Sequence, residues 1–123
     1  MLRQMLVSKI HRARVTGTDL NYIGSITIDE TLMQAAGILA WELVQVADIT
    51  NGARLETYVI PGDAGTGTVQ INGAAAHLVQ PGDLVIIMAF AWLDAMELER
   101  HHPKVILVDE QNRVVDVRDG HPL

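Results

Sequence analysis

The fold is decided by residues 81–90, which read PGDLVIIMAF. The first part, Pro81-Gly82-Asp83, is typical of a tight turn, because proline and glycine favour the backbone angles that turns require. The stretch 84–90 that follows is uncharged and rich in apolar and β-branched residues. It predicts a fully buried β-strand.

Short strands separated by turn signals recur along the rest of the chain. The clearest hairpin signal is Asn51-Gly52, where both residues tolerate a positive φ, between predicted strands at 43–50 and 54–60. Near the end, the polar segment 109–113 separates two apolar stretches, which predict a terminal hairpin over 105–108 and 114–117. The other predicted strands are 5–16, 25–29 and 69–72.

Helical signals are few. Asp29 or Thr31 is a suitable N-cap for a short helix over residues 29–36, and Gly37 would end it. Residues 94–100 predict a second helical turn, and residues 73–76 a small turn or the start of a helix. Many short strands with so few helices favour a small closed or nearly closed β-barrel, which also leaves no sheet edge open to aggregation.

The composition limits the class of protein. At 123 residues, 49% of them hydrophobic, the chain is long enough for one compact domain with a sizeable core. A formal net charge of -6 would repel phosphate backbones, so we expect no nucleic-acid partner. Without cysteine there is no thiol nucleophile, disulfide or thiolate ligand. The sequence shows no signal-like or membrane-spanning segment, which predicts a soluble protein with no membrane partner, compatible with the cytoplasm.

Metal and nucleotide sites have little support. None of the 5 histidines has the spacing typical of a zinc site, and the adjacent pair His101-His102 is expected to be solvated. The Gly65-Thr66-Gly67 loop lacks the lysine that a phosphate-binding loop requires. We therefore predict no bound metal and no nucleotide.

Four ordered motifs are specific in combination. They read KIHR at 9–12, YIGS at 22–25, TNGARLETY at 50–58 and INGAAAH at 71–77. In their order and spacing, up to about Val117, the chain resembles the aspartate 1-decarboxylase family. Small differences are Thr66, where a serine is common, and Glu56, whose effect the sequence does not predict. The tail 119–123 has no functional interpretation.

The resemblance implies a mainly-β fold, a six-stranded double-psi β-barrel with a few short helices, assembled as a homotetramer with sites between neighbouring subunits. It implies decarboxylation of L-aspartate to β-alanine and carbon dioxide, a cytoplasmic reaction that supplies pantothenate and coenzyme A. It also implies a proenzyme that cleaves itself between Gly24 and Ser25 into residues 1–24 and 25–123. Whether maturation uses an accessory protein factor stays open.

The Gly24-Ser25 bond is where the cofactor would be made. A serine hydroxyl can attack the preceding carbonyl if the backbone is strained and the carbonyl polarised, and glycine lowers the steric cost of such geometry. The resemblance implies that Ser25 becomes a pyruvoyl group, which forms a Schiff base with the substrate amine and takes the place of pyridoxal phosphate. Without the resemblance, Gly24-Ser25 is an ordinary turn leading into a strand.

The resemblance also assigns roles to residues around that bond. Tyr58 is the proton donor, Arg54 grips a substrate carboxylate with its planar guanidinium, and Lys9 helps to hold the second carboxylate. Thr57 polarises the Gly24 carbonyl during cleavage and later contacts the substrate. The pocket is further lined by Asn72, Gly73, Ala74 and Ala75, with His11 and Tyr22 as weaker candidates.

Thr57 and Tyr58 pose a geometric problem, because adjacent residues of a regular strand point to opposite faces. Either the backbone is irregular there or a second subunit closes the site, and the tetramer implied by the resemblance favours the second explanation. Two other interpretations stay open. The barrel could remain uncleaved and serve as a binding module or scaffold, or the pyruvoyl chemistry could act on another amino acid.

Overall fold

The computed structural model describes residues 1–120 of the chain. This part contains nine β-strands. All the strands predicted from the sequence are present, with ends that differ by a few residues, whereas β2 was not predicted. The strands are β1 Arg3–Arg14, β2 Gly17–Asp19, β3 Ser25–Asp29, β4 Leu43–Asp48, β5 Arg54–Gly62, β6 Val69–Asn72, β7 Leu84–Leu93, β8 Lys104–Val108 and β9 Val114–Asp119.

Strands β1 and β2 close the sheet into a barrel. β1 runs antiparallel to β7, whereas β2, which follows after only Val15 and Thr16, runs parallel to β6. The Thr16 N–H donates to the Val69 carbonyl at the start of β6, over 2.8 Å. One continuous segment therefore joins both ends of the row β6-β3-β5-β4-β7. These five strands and the β1–β2 segment make six strand positions, as predicted, and β8 and β9 extend the sheet beyond the ring.

The barrel interior is filled mainly by valine and isoleucine side chains. Along β7, buried Val85 and Ile87 alternate with half-buried Ile86. The prediction that β7 is fully buried was therefore wrong. β7 forms a wall of the barrel, with one face in the core and the other towards the outside. The sequence does not reveal this alternation, because the outward positions are apolar too.

Short helices connect the strands, and the best predicted of them is the first. Asp29 caps it by accepting the Thr31 N–H over 2.8 Å, and Gly37 ends it in the left-handed conformation at φ +71°. Both ends are as the sequence predicts. The helices are α1 Glu30–Ala36, α2 Ala95–Leu98 and the 3₁₀ helix Gly73–His77.

Polar side chains fix the loops against the barrel. The Asp29 carboxylate also accepts the N–H groups of Gly65 and Gly67 from the loop after β5. Burial alone would raise the pKa of Asp29, but these backbone hydrogen bonds outweigh it and hold the pKa below its usual value. His101 Nε2 lies 2.7 Å from the Leu6 carbonyl oxygen, so the prediction of a solvated residue was wrong for His101. Among residues 1–120, no helix has the length and apolar character needed to cross a membrane.

Candidate active site

Ser25 begins β3, directly after the Tyr22–Gly24 loop, and its side chain is almost completely buried at 1% exposure. Its hydroxyl donates to the Ile23 carbonyl oxygen over 2.8 Å and accepts a hydrogen bond from Asn72 Nδ2 over 3.0 Å. Asn72 is the residue opposite Ser25 in the antiparallel β3–β6 pair, which explains why the two side chains meet. The structure therefore brings together the predicted site motifs at 22–25 and 71–77.

Gly73 lies against Gly24 at closer range than any residue with a side chain could. Its φ is +74°, and a Cβ added there would lie 2.6 Å from the Gly24 Cα and 2.8 Å from the Gly24 nitrogen. By contrast, a Cβ added at Gly24 would meet nothing within 4 Å, and Gly24 is not among the residues with positive φ. The steric role expected of Gly24 therefore belongs to Gly73 in this conformation.

A line of amide and hydroxyl groups runs along the outer face of β6 and β3. Gln70 Nε2 donates to Asn72 Oδ1 over 2.8 Å, and Asn72 Nδ2 donates to Thr27 Oγ1 as well as to Ser25, each over 3.0 Å. Gln70 was not among the residues predicted from the sequence. Its position two residues before Asn72 on a predicted strand was the available signal, because alternate residues share a face.

Tyr58 lies on the same outer face as Ser25, on the adjacent strand. β3 and β5 are parallel with Ile26 opposite Val59, and both of these residues are completely buried in the core. The residues that precede them, Ser25 and Tyr58, therefore both belong to the opposite face. The Tyr58 ring stacks on Trp41, with centroids 5.5 Å apart and planes at 16°.

The remaining β5 residues separate by face as strand alternation requires. Arg54 and Glu56 are exposed on the side of Tyr58, whereas Thr57 is opposite Val44, which is 1% exposed. Thr57 and Tyr58 therefore point to opposite faces of a regular strand. Among residues 1–120, no hydrogen bond joins the Thr57 hydroxyl to Gly24. The parallel β3–β5 register, continued two residues back from the Ile26–Val59 pair, sets Thr57 beside Gly24, so its expected role in cleavage stays a prediction.

Lys9 and His11 lie on a distant part of the barrel wall. Strands β7 and β4 separate β1 from β5. In register order, Lys9 is opposite Met88, Met88 is opposite Gln45, and Gln45 is opposite Glu56. Three strand spacings of roughly 4.8 Å amount to about 14 Å. Side chains diverge on the outside of a barrel, so Lys9 and Arg54 of one chain do not converge on one small molecule.

His11 is half-buried next to Lys9 on the outer face of β1. Burial, followed by the positive charges of Lys9 and Arg12, lowers the pKa of His11, so its imidazole is held in the neutral form at neutral pH. Its Nδ1 atom is buried without a hydrogen-bond partner in the described part of the chain.

The remaining predicted residues surround the Gly24-Ser25 bond at the surface. Tyr22 is 51% exposed in the loop before the bond. Ala74 and Ala75 belong to the 3₁₀ helix that begins at Gly73, and Ala74 is exposed. Residues 1–120 contain no group of three or more histidine, aspartate or glutamate side chains placed to hold a metal ion.

The family model and a curated relative identify the same family. The family model described as aspartate decarboxylase matches residues 1–115. An aspartate 1-decarboxylase of Corynebacterium efficiens is 60% identical, over 100% of this chain and 92% of that protein. Among solved structures, the rationally designed mkDPBB_sym_86 protein is 17% identical, with a TM-score of 0.47, over 63% of this chain and 90% of its own. The computationally designed msDPBB_sym2 protein is 23% identical, with a TM-score of 0.47, over 71% of this chain and 99% of its own.

Proposed function

The chain belongs to the aspartate decarboxylase family, and we propose that it carries out the family's reaction with a pyruvoyl group made from its own Ser25. It decarboxylates L-aspartate to β-alanine and carbon dioxide, which supplies pantothenate biosynthesis. The observation that most supports the proposed cofactor is the buried Ser25 hydroxyl, which lies directly after Gly24 and within hydrogen-bond distance of Asn72.

In the proposed maturation, the Ser25 hydroxyl attacks the carbonyl carbon of Gly24. A C–O bond forms, the C–N bond between the two residues breaks, and the hydroxyl proton ends on the freed nitrogen, so the amide becomes an ester. Loss of the Ser25 Cα proton then expels the Gly24 carboxylate and leaves dehydroalanine. This elimination separates the fragments 1–24 and 25–123. Hydrolysis of the dehydroalanine at residue 25 then releases ammonia and leaves the pyruvoyl ketone.

Asn72 supports the first of these steps. Its Nδ2 group donates to Ser25 Oγ, so it stabilises the negative charge that develops as the hydroxyl loses its proton. Burial strengthens this hydrogen bond, since both Ser25 and Asn72 are almost inaccessible to water. The close contact between Gly73 and Gly24 keeps the loop before the bond in one position.

The surroundings of residue 25 fit a small keto-acyl group, because Asn72 already offers a hydrogen-bond donor to an oxygen at this position. Once formed, the pyruvoyl group supplies a ketone that binds the substrate amine and accepts the electrons released as carbon dioxide leaves. Tyr58, on the adjacent strand and the same face, donates the proton that replaces the lost carboxylate. Its stacking on Trp41 orients the phenol.

Two cations hold the carboxylates of the substrate in this proposal. The exposed guanidinium of Arg54 forms two parallel hydrogen bonds to one carboxylate, and Lys9 pairs with the other. Because β4 and β7 separate these residues within one chain, Lys9 of one subunit serves the site of a neighbour. Asn72, Gly73, Ala74 and Ala75 line the pocket, and Tyr22 and Thr57 contribute from its border, as does His11 of the neighbour that supplies Lys9.

We propose a homotetramer with sites between subunits, in the cytoplasm. Large apolar side chains near the candidate site are exposed in the single chain, among them Ile23 at 71% and Trp41 at 74%. Contact with a second subunit would bury them, which is the usual reason for an apolar patch of this kind. An accessory protein would act on the same precursor and would change the rate of cleavage rather than its chemistry.

The test compares the two serines of the chain. Both Ser25 and Ser8 are buried, at 1% and 2% exposure, so Ser8→Ala is a matched control for Ser25→Ala. We expect Ser25→Ala to remain one uncut chain without carbon dioxide release from L-aspartate, while Ser8→Ala is cut and active. Turnover by an uncut Ser25→Ala protein would contradict the proposed cofactor. An uncut, inactive wild-type protein would favour a scaffold, and release from a different amino acid would correct the substrate.

A further inference from the structure

Gln70 occupies the end of the hydrogen-bonded line that leads to Ser25. Its Nε2 group donates to Asn72 Oδ1 over 2.8 Å, and Asn72 in turn donates to Ser25 Oγ. Gln70 is opposite Thr27 on β3 and opposite Gly17 on β2, so it is held between two strands. A Cβ at Gly17 would come within 3.4 Å of the Gln70 Oε1 atom, which shows how closely β2 packs against this side chain.

The orientation of the Asn72 amide decides what Ser25 experiences. With Nδ2 towards Ser25 the amide donates a hydrogen bond, and with Oδ1 there it would accept one instead. The Ser25 hydroxyl proton is already directed at the Ile23 carbonyl, so the serine oxygen needs a donor on the Asn72 side. Gln70 supplies the matching donor to Asn72 Oδ1 and so completes the arrangement in which Asn72 donates to Ser25.

We propose that Gln70 is a positioning residue for self-cleavage, which holds the Asn72 amide with its N–H groups towards the Ser25 hydroxyl. This inference rests on the proposed cleavage at Gly24-Ser25. Gln70 does not touch the reacting atoms. It acts through Asn72: with Gln70 Nε2 directed at Asn72 Oδ1, reversal of the Asn72 amide alone would set two N–H groups against each other. The reversed amide would also place an oxygen lone pair against the developing negative charge on Ser25 Oγ.

Three substitutions of Gln70 separate hydrogen-bond polarity from packing. Gln70→Glu keeps the shape but offers only acceptors when ionised, so it favours the reversed Asn72 amide. Gln70→Met removes the donor without adding a charge, and Gln70→Lys restores a donor that has no acceptor. A role in packing alone would leave Gln70→Glu similar to wild type and would not be rescued by lysine. Gln34→Glu, an exposed glutamine of α1, is the control for the added negative charge.

The experiment follows the first-order disappearance of uncut precursor by gel electrophoresis, in lysates of the expressing cells so that any maturation factor is present for every variant. We expect Gln70→Met to cleave about fivefold more slowly and Gln70→Glu at least about tenfold more slowly, as the loss of one buried hydrogen bond implies. Gln70→Lys and Gln34→Glu should stay within about threefold of wild type. Circular dichroism melting confirms that each precursor is folded.

The outcomes distinguish the inference from the function on which it rests. Equal cleavage rates for wild type, Gln70→Met and Gln70→Glu would overturn the role of Gln70 and leave the pyruvoyl proposal intact. The role of Gln70 would also be overturned if Gln70→Lys cleaved as slowly as Gln70→Met and Gln70→Glu, because a donor would then not have rescued the rate. A wild-type precursor that never cleaves would instead refute the proposed maturation itself.

Discussion

Ser25 is surrounded by groups whose hydrogen bonds are already satisfied before any substrate arrives. Its hydroxyl, the Asn72 amide and the Thr27 hydroxyl are joined in one buried network. A buried network of this kind keeps the reacting atoms in one arrangement, since breaking any of its hydrogen bonds leaves a polar group unpaired. The chemistry at residue 25 therefore depends on how these neighbours are arranged before a substrate binds.

Tyr58→Phe separates maturation from turnover. The phenyl ring keeps the stacking on Trp41, so folding and cleavage should be unchanged. Because a positioned general acid contributes about 10²- to 10⁴-fold, we expect kcat for L-aspartate to fall by roughly that factor. The measurement is carbon dioxide release per cleaved chain. A wild-type kcat would remove Tyr58 from the mechanism.

Arg54→Lys tests recognition of the substrate carboxylate. Lysine keeps the charge but cannot form the two parallel hydrogen bonds of a guanidinium, so we expect KM for L-aspartate to rise about tenfold or more, the cost of one charge-assisted hydrogen bond. Arg118→Lys, at an exposed ion pair with Asp116 far along the chain, is the control. Equal KM values for both variants would show that Arg54 does not bind the carboxylate.

Only the site residues that belong to the four sequence motifs could be predicted from the sequence. Gly24, Ser25 and Asn72 do come together, because strand register places Ser25 opposite Asn72. Thr57 is beside Gly24 in the continued β3–β5 register, but it is also opposite the buried Val44, so its contact with the Gly24 carbonyl stays a prediction. Gln70 was missed because glutamine has no motif of its own, and only the position of its amide next to Asn72 reveals a role.

The strands illustrate which features a sequence can specify. The Asn51-Gly52 hairpin and the ends of α1 were predicted correctly, because each depends on local turn and cap residues. β2 was missed because a strand of 3 residues carries no periodic pattern. The burial of β7 was overestimated because its outward side chains are also apolar, so the alternation between core and surface does not appear in the sequence.

A buried pair of carboxyl groups links the end of β4 to the turn before β7. Asp48 and Asp83 are 3% and 9% exposed, and Asp48 Oδ2 has no donor among residues 1–120. Burial, and then hydrogen bonding and repulsion from Asp83, raise the pKa of Asp48. A carboxyl group whose pKa is raised by folding makes its full contribution to the stability of the folded state at pH values below its pKa in the unfolded chain. This contribution is lost as the pH rises through its pKa in the folded state.

Asp48→Asn should remove this pH dependence. Asparagine keeps an oxygen for the Thr50 and Asn51 N–H groups and offers a donor towards Asp83. We expect the variant to be more stable than wild type at neutral pH, with the difference shrinking towards pH 4. Urea unfolding between pH 4 and pH 8 measures this, with exposed Asp63→Asn as the control. Parallel pH curves for Asp48→Asn and wild type would contradict the assignment.

At the level of the assembly, the distance between Lys9 and the other site residues becomes the decisive feature. About 14 Å of barrel wall separates Lys9 from the β5 face, whereas Ser25 and Tyr58 are on adjacent strands. The barrel itself was predictable from the strand pattern and the resemblance. The homotetramer with sites between subunits was expected from the resemblance alone, because it depends on surfaces that no periodicity describes, and it stays a prediction.

Mixed tetramers test whether Lys9 serves a neighbouring chain. Ser25→Ala chains lack the proposed cofactor and Lys9→Ala chains lack the cation, so each alone should be nearly inactive. Co-expression should restore part of the activity, because some sites then combine an intact Ser25 with an intact Lys9 from another chain. Separation of two differently tagged chains isolates the mixed species for the assay. Absence of recovery in a purified mixed tetramer would place Lys9 and Ser25 of one chain in the same site.

Conversion of Ser25 into a keto group is the central proposal. Intact mass spectrometry before and after borohydride treatment tests this conversion most directly. We expect two fragments, 1–24 and 25–123. The mass of the larger fragment should be lower, by one ammonia, than simple hydrolysis of the peptide bond would give. Borohydride should then raise that mass by two hydrogens. Activity should disappear with that reduction. A fully active protein whose chains remain uncut, or whose larger fragment begins with an unaltered serine, would contradict it.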